Sequence, residues 1–204
     1  MTAEAQRSEQ RGTAMNDPAT LYIQATEVFD GRVRRVGDDQ WALSTPCQQW
    51  DVRELVSHVT VENLWAPALL DGRTMEEVGD AFDGDQLGDQ PVESWTAAVH
   101  AARQVASEPG VTARTVHLSY GDESAAQYLM QLFTDHLVHA WDLAWATSGD
   151  TDLPAELVSA CAQWFAEVEP MYRQAGVIGP AAPVSADADE QTRLLAAFGR
   201  SAAE

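Results

Sequence analysis

The residues of this chain best suited to chemistry are histidines and an aspartate that cluster on one segment. Two of the five histidines, His136 and His139, are three residues apart in the most apolar helical stretch of the sequence, so they lie within a single helical turn. Asp135 and His139 are four residues apart, so their side chains project from one face of a helix and can reach the same ion. The spacing therefore predicts two metal ligands on a single helix.

A divalent metal ion needs at least a third ligand, and His58 is the candidate. It lies on a stripe with Leu55, Glu62 and Trp65 that is spaced as one face of a helix. Such a stripe should face the interior of a helix bundle, where ligands from facing helices meet. We therefore expect His58 to complete a metal site with the aspartate and histidine of the later helix.

Other interpretations of the same residues stay open. His136 is three residues from His139 and offers a competing pair of ligands. Glu62 could be a fourth ligand or a base, or a solvated carboxylate on the helix surface. Asp142 is about a turn beyond His139, so it could orient that ring or be a surface charge. Histidines at this spacing also occur as packed core residues without a metal.

The two cysteines, Cys47 and Cys161, are far apart in the sequence and have no CxxC spacing. The sequence therefore predicts neither a disulfide framework nor a cysteine zinc cluster. Because no basic residue or histidine adjoins Cys47, we interpret it as a buried or loop thiol. The sequence has no GxGxxG after a strand, no GxxxxGK[ST], no HExxH and no GxSxG, so nucleotide cofactors are not expected.

The acidic net charge of the chain disfavours nucleic acids and membrane surfaces as partners. Its 204 residues include 12 basic and 32 acidic side chains, for a net charge of −20. Nucleic-acid binding requires basic groups that displace counterions from phosphates, so we expect no nucleic-acid partner. No apolar run approaches the roughly 20 residues that span a bilayer, and the acidic charge disfavours membrane surfaces. Residues 1–16 are polar and lack the apolar part of a secretory signal, which predicts a disordered tail and a cytoplasmic protein.

Helical periodicity predicts the elements that position the candidate ligands. Asp17 has the place of an N-cap, and Asp51 with Glu54 has the form of a capping box. Long helices are predicted over residues 17–33, 51–72, 91–107, 124–147 and 154–174, with a short helix near 190–198. Residues 75–90 are predicted to form a long acidic loop, and residues 112–120 a short extended segment. This succession predicts an all-α helix bundle, with one domain over residues 17–204.

Two blocks of sequence carry a resemblance to a known family. Residues 45–58, TPCQQWDVRELVSH, enter the second helix and end at His58. Residues 134–144, TDHLVHAWDLA, contain an acid and a histidine four residues apart, followed by Trp-Asp-Leu. Together the blocks resemble the DinB-like superfamily, and more closely the actinobacterial metal-binding proteins related to the N-terminal domain of mycothiol-dependent maleylpyruvate isomerase. The resemblance extends over about residues 19–198.

This resemblance implies a DinB-like four-helix bundle with extra short C-terminal helices and a divalent metal, zinc or alternatively nickel. His58, Asp135 and His139 stand at the positions of the family's metal ligands. Asp135 replaces the longer glutamate of the isomerase, and His136 adds a donor that could take its place. The sequence shows no counterpart of the isomerase's separate C-terminal domain, which argues against transferring that activity directly.

Three protein ligands leave a coordination position open, which is typical of catalytic metal sites. A low-molecular-weight thiol bound there would lose its proton near neutral pH, and the resemblance indicates mycothiol as such a co-substrate. We therefore expect a metal- and thiol-dependent transferase or isomerase that acts on a small molecule. The alternatives are a metal-dependent hydrolase and a non-catalytic metal- or ligand-binding bundle related to stress. Because helix bundles of this size often dimerise, a homodimer is a further alternative.

Overall fold

The computed structural model of the protein describes residues 17–47 and 50–201, so the tail predicted over residues 1–16 lies outside it. The fold is all-α apart from one small sheet. Its helices are α1 (Pro18–Val33), α2 (Val52–Leu70), α3 (Met75–Val78), α4 (Pro91–Ala106), α5 (Ala125–Ala146), α6 (Ala155–Gln174) and α7 (Glu190–Ala197). None of the helices in this part of the chain combines the length and apolar character that a membrane span needs.

The starts of α1 and α2 follow from their capping residues. The Asp17 side chain accepts a hydrogen bond from the backbone N–H of Thr20 at 3.0 Å. The Asp51 carboxylate accepts from the Glu54 N–H at 2.8 Å, and the Glu54 carboxylate accepts from the Asp51 N–H at 2.9 Å. This reciprocal pair is the predicted capping box, which satisfies two backbone donors at the start of the helix that carries His58.

Four helices form the bundle, and α5 is its central element. α1 packs mainly against α5, α2 packs mainly against α4, and α2 also contacts α5. In α5, 17 of the 22 residues are buried, which identifies a helix covered on nearly every side. Large side chains that fill the space between the four helices are Phe29, Leu55, Trp95 and Phe133. α6 and α7 follow the bundle and pack against each other, and α6 is a full-length helix of 20 residues.

The segment over residues 75–90 differs in part from the predicted loop. It begins with the four-residue helix α3, whose N-cap Thr74 forms a capping box with Glu77. One helical turn is too short to produce a recognisable 3.6-residue periodicity, which explains why the sequence pattern indicated a loop.

The predicted extended segment near residues 112–120 is one half of a β-hairpin. Strand β1 (Thr115–Leu118) pairs antiparallel with β2 (Gly121–Ser124), after a short 3-10 turn at Val111–Ala113. β2 was not predicted because its sequence, Gly-Asp-Glu-Ser, has no alternation of apolar and polar residues. The hairpin leads directly into α5.

Candidate metal centre

Helices α2 and α5 bring the three candidate ligands together. His58 Nε2 lies 3.4 Å from Asp135 Oδ2, and His139 Nε2 lies 3.2 Å from Asp135 Oδ1. One donor atom from each of the three residues lies within 4.8 Å of the other two. Donor atoms bound to one zinc ion at about 2.0–2.2 Å can be at most about 4.4 Å apart, so small side-chain adjustments suffice to bind an ion here.

One oxygen of Asp135 has the character expected of a metal ligand. Asp135 Oδ2 is buried and lies within ion-pair distance of His58 Nε2, but it meets hydrogen-bond geometry with no residue in the described ranges. Buried carboxylate oxygens nearly always have a partner, because an unpaired one loses its solvation without compensation. A cation between His58, Asp135 and His139 would supply that partner. The Asp135 carboxylate also reaches both imidazoles.

The charges of the cluster are strongly linked. Burial raises the pKa of Asp135, but the nearby His139 and His58 lower it by a larger amount. The net pKa of Asp135 therefore lies well below its ordinary value. Burial likewise lowers the pKa of His139, whereas the Asp135 carboxylate raises it, and the net pKa lies well above the ordinary value. The pKa of His58 is raised by Asp135 in the same way, against the effect of burial. Metal binding would therefore have to displace protons from the imidazoles.

The second ring nitrogen of His139 is held by Asp142. His139 Nδ1 lies 2.9 Å from Asp142 Oδ2, and the Asp142 carboxylate is fully buried. Arg200 donates to both oxygens of that carboxylate, from Nη2 at 2.7 Å and from Nε at 3.1 Å. Because the Asp142 carboxylate accepts a hydrogen bond from His139 Nδ1–H, His139 Nε2 is the nitrogen left to face Asp135. Asp142 thus orients the ring, as its spacing from His139 allowed.

Cys47 has basic and histidine neighbours that its local sequence does not show. Its Sγ accepts a hydrogen bond from Arg200 Nη2 at 3.1 Å and lies 3.3 Å from Asp142 Oδ2. His139 Nδ1 is 3.9 Å away. Cys47 is a half-buried free thiol in a loop, but these neighbours are 92 to 153 positions away in the chain and could not be found from its local sequence.

Cys47, His139 and Asp142 form a second group of possible metal ligands. This group is already filled by the Arg200 guanidinium, which bonds to both the Cys47 sulfur and the Asp142 carboxylate. A metal ion there would face a permanently charged cation. The first group, in which Asp135 Oδ2 has no hydrogen bond, is therefore the better site for an ion.

His136 lies in the core and not at the cluster. Its Nδ1 is 2.6 Å from the Leu132 carbonyl oxygen, and its Nε2 is 2.7 Å from Asn63 Nδ2. The Asn63 amide oxygen in turn accepts a hydrogen bond from the Tyr22 hydroxyl. Since both ring nitrogens have core partners, the structure does not support His136 as a replacement for Asp135.

The burial of His136 predicts a loss of stability in acid. Burial is the main cause that lowers its pKa to about 4, whereas an unfolded chain binds this proton near pH 6.5. Between these values the unfolded state holds more protons, so the free energy of unfolding should fall by roughly 3 kcal/mol as the pH decreases. Urea unfolding at about pH 7 and about pH 4.5 measures the effect. The decrease should be smaller in His136→Gln, and equal decreases in both proteins would contradict the assignment.

A cavity of about 430 Å³ opens beside the cluster. Asp135 and His139 lie in its wall with Glu62 of α2, whose pKa is raised by burial and then by Asp135. The aromatic residues of the wall are Tyr120, Tyr128, Trp164, Tyr172 and Phe198. A cavity of this volume, with an apolar lining and a few polar groups, is typical of sites for small molecules.

Comparisons with known proteins add to this geometry. Residues 22–144 match the model of the mycothiol maleylpyruvate isomerase N-terminal domain. Two Mycobacterium tuberculosis proteins are similar to the chain: uncharacterized protein Rv0738 of strain ATCC 25618 / H37Rv and uncharacterized protein MT0763 of strain CDC 1551 / Oshkosh. Each is 31% identical over 165 residues, which cover 78% of this chain and 84% of the relative. No solved structure matches the chain.

Proposed function

Since this chain belongs to the family of the mycothiol maleylpyruvate isomerase N-terminal domain, we propose that it binds a divalent metal ion through His58, Asp135 and His139. The ion is zinc, with nickel as the alternative. The site serves a transferase or isomerase that acts on a small molecule, with a thiol such as mycothiol as co-substrate. The observation that carries this proposal is the convergence of two imidazoles on a carboxylate, one oxygen of which is buried without a hydrogen bond.

The position of the cavity supports a catalytic use of the site. Three protein ligands leave room for a further molecule at a four-coordinate ion. The cavity reaches Asp135 and His139, so a small molecule within it can approach the cluster. When bound, a divalent ion supplies a Lewis acid that lowers the pKa of a thiol or of water.

Glu62 is the residue that we assign to proton transfer. Its carboxyl belongs to the same cavity wall as Asp135, and its pKa is raised first by burial. A carboxylate with a raised pKa is a better proton acceptor near neutral pH than an exposed one. Glu62 would accept the proton that leaves the sulfur of an incoming thiol, while Asp142 holds the proton on His139 Nδ1 and keeps that ring in place.

Thiol binding to the cobalt-loaded protein tests the proposed function. After removal of the resident ion with a chelator and addition of Co²⁺, titration with 2-mercaptoethanol should produce the near-ultraviolet absorption of a sulfur bound to cobalt. The signal should saturate at about one thiol per chain, because the cluster offers one site. Ethylene glycol, which carries oxygen in place of sulfur, is the matched ligand and should produce no such absorption.

A protein that binds Co²⁺ without any sulfur absorption would contradict the thiol-dependent reaction. That result would favour the alternatives of a metal-dependent hydrolase or a non-catalytic metal-binding bundle. We further propose that the protein acts in the cytoplasm and has no nucleic-acid or membrane partner. Its net charge of −20 supports the absence of such partners, because acidic surfaces are repelled by phosphates. Measurement of the mass in solution distinguishes the monomer from the homodimer.

A further inference from the structure

We propose that Trp50 is a positioning residue of the metal centre, whose indole packs against the imidazoles of His58 and His139 and orients them before an ion binds. This inference rests on the proposed function, because it takes these imidazoles as metal ligands. Asp135 and His139 line the cavity, whereas Trp50 does not belong to the described part of its wall. Trp50 therefore acts on the centre through the histidines and not by contact with a substrate.

Three rings from three separate parts of the chain meet at the centre. The centroids of the Trp50 and His58 rings are 4.7 Å apart, and the angle between the ring planes is 32°. The Trp50 and His139 rings are 5.6 Å apart at 48°, and the two imidazoles are 5.3 Å apart at 79°. Aromatic rings attract each other at such separations and prefer particular mutual orientations. Trp50 thus contacts one proposed ligand of α2 and one of α5 at the same time.

The backbone of Trp50 is held by hydrogen bonds at both of its polar groups. Its N–H donates to the Cys47 carbonyl oxygen at 2.8 Å. Its carbonyl oxygen accepts from the Thr45 hydroxyl at 2.8 Å and from the Thr45 N–H at 3.2 Å. The next residue, Asp51, is the N-cap of α2. Because Thr45 is itself buried and the helix begins directly after Trp50, this segment holds the indole in a fixed place.

His58 has the greater need of such a contact. Histidine ligands are usually oriented by a partner at the ring nitrogen that does not bind the ion, as His139 is by Asp142. Within the described ranges, the hydrogen bond of the His58 ring is at Nε2, to Asp135 Oδ1 at 3.5 Å, and no protein group accepts from its Nδ1. The Trp50 ring is therefore the contact that can orient His58. An imidazole ordered in advance loses less conformational entropy when it binds an ion.

The test compares the wild type with Trp50→Leu and Trp50→Phe. In Trp50→Leu the ion itself must order two imidazoles, so zinc affinity, measured by competition with a chelator, should fall by about 5- to 100-fold. Trp50→Phe keeps an aromatic ring at this position and should recover most of the affinity. The visible absorption of bound Co²⁺, which reports coordination geometry, should change in Trp50→Leu and stay close to that of the wild type in Trp50→Phe.

Trp65→Leu is the matched control, because Trp65 is also partly buried and lies on the helix of His58, but its ring contacts Phe82. Urea unfolding should show a loss of stability in both leucine variants, whereas Trp65→Leu should keep the zinc affinity and the cobalt spectrum of the wild type. If Trp50→Leu also keeps both, or if the two leucine variants lose equal affinity, the role of Trp50 is wrong and the metal site stands. If the wild type binds neither ion, the proposed function fails and this inference fails with it.

Discussion

Replacing His139 with alanine is expected to reduce bound metal from about one ion per chain to nearly none. The substitution removes one of the three proposed protein ligands, and it also removes the ring that joins Asp135 to Asp142. Two remaining protein ligands are fewer than the three found even in open catalytic zinc sites. Plasma mass spectrometry on protein purified without an affinity tag, incubated with zinc and then desalted, measures the ion directly.

Two further histidine variants make this experiment specific. His58→Ala removes the ligand on α2 and should lose the ion as well. His100→Ala changes an exposed histidine of α4, away from the cluster, and should keep it. Equal metal content in His139→Ala and His100→Ala would refute the site, as would a wild type that remains free of metal after incubation with zinc.

Replacing Asp142 with alanine is expected to lower the free energy of unfolding by roughly 3–5 kcal/mol, because it leaves one half of a buried ion pair without its partner. The Asp142 side chain is fully buried, and only 17% of the Arg200 side chain is exposed. The same change frees His139 Nδ1, so the affinity for zinc should fall by about 10- to 100-fold. Urea unfolding and competition with a zinc chelator measure the two effects.

Asp71→Ala is the matched control for this substitution. Asp71 lies 3.5 Å from Arg114, and 59% of its side chain is exposed. A solvent-exposed ion pair contributes at most about 1 kcal/mol, so this variant should unfold nearly like the wild type and keep its affinity for zinc. Equal losses of stability in the two variants would show that the buried position of Asp142 has no special role.

The helices and the pairing of Asp135 with His139 could be predicted from the sequence, because both depend on local spacing. Asp51 and Glu54 are three residues apart in a capping box, so the start of α2 was evident. The interval of four between Asp135 and His139 puts both on one face of any helix. His58 was harder to assign, since its position relative to α5 depends on how two helices pack, and there the family resemblance supplied what periodicity alone could not.

The remaining parts of the site have no local signature. Cys47 and Arg200 are 153 residues apart, and no spacing rule connects them. The different positions of the His136 and His139 rings also depend on packing. His136 lies in the core beside Asn63, whereas His139 lies beside Asp135 in the cluster.

Arg200 also shows how relatives with the same ligands could differ in reactivity. The family model ends at residue 144, so it includes His58, Asp135, His139 and Asp142 but not the arginine that holds Asp142. Natural variation in the segment after α7 could therefore adjust the electronic character of the centre while its ligands stay constant.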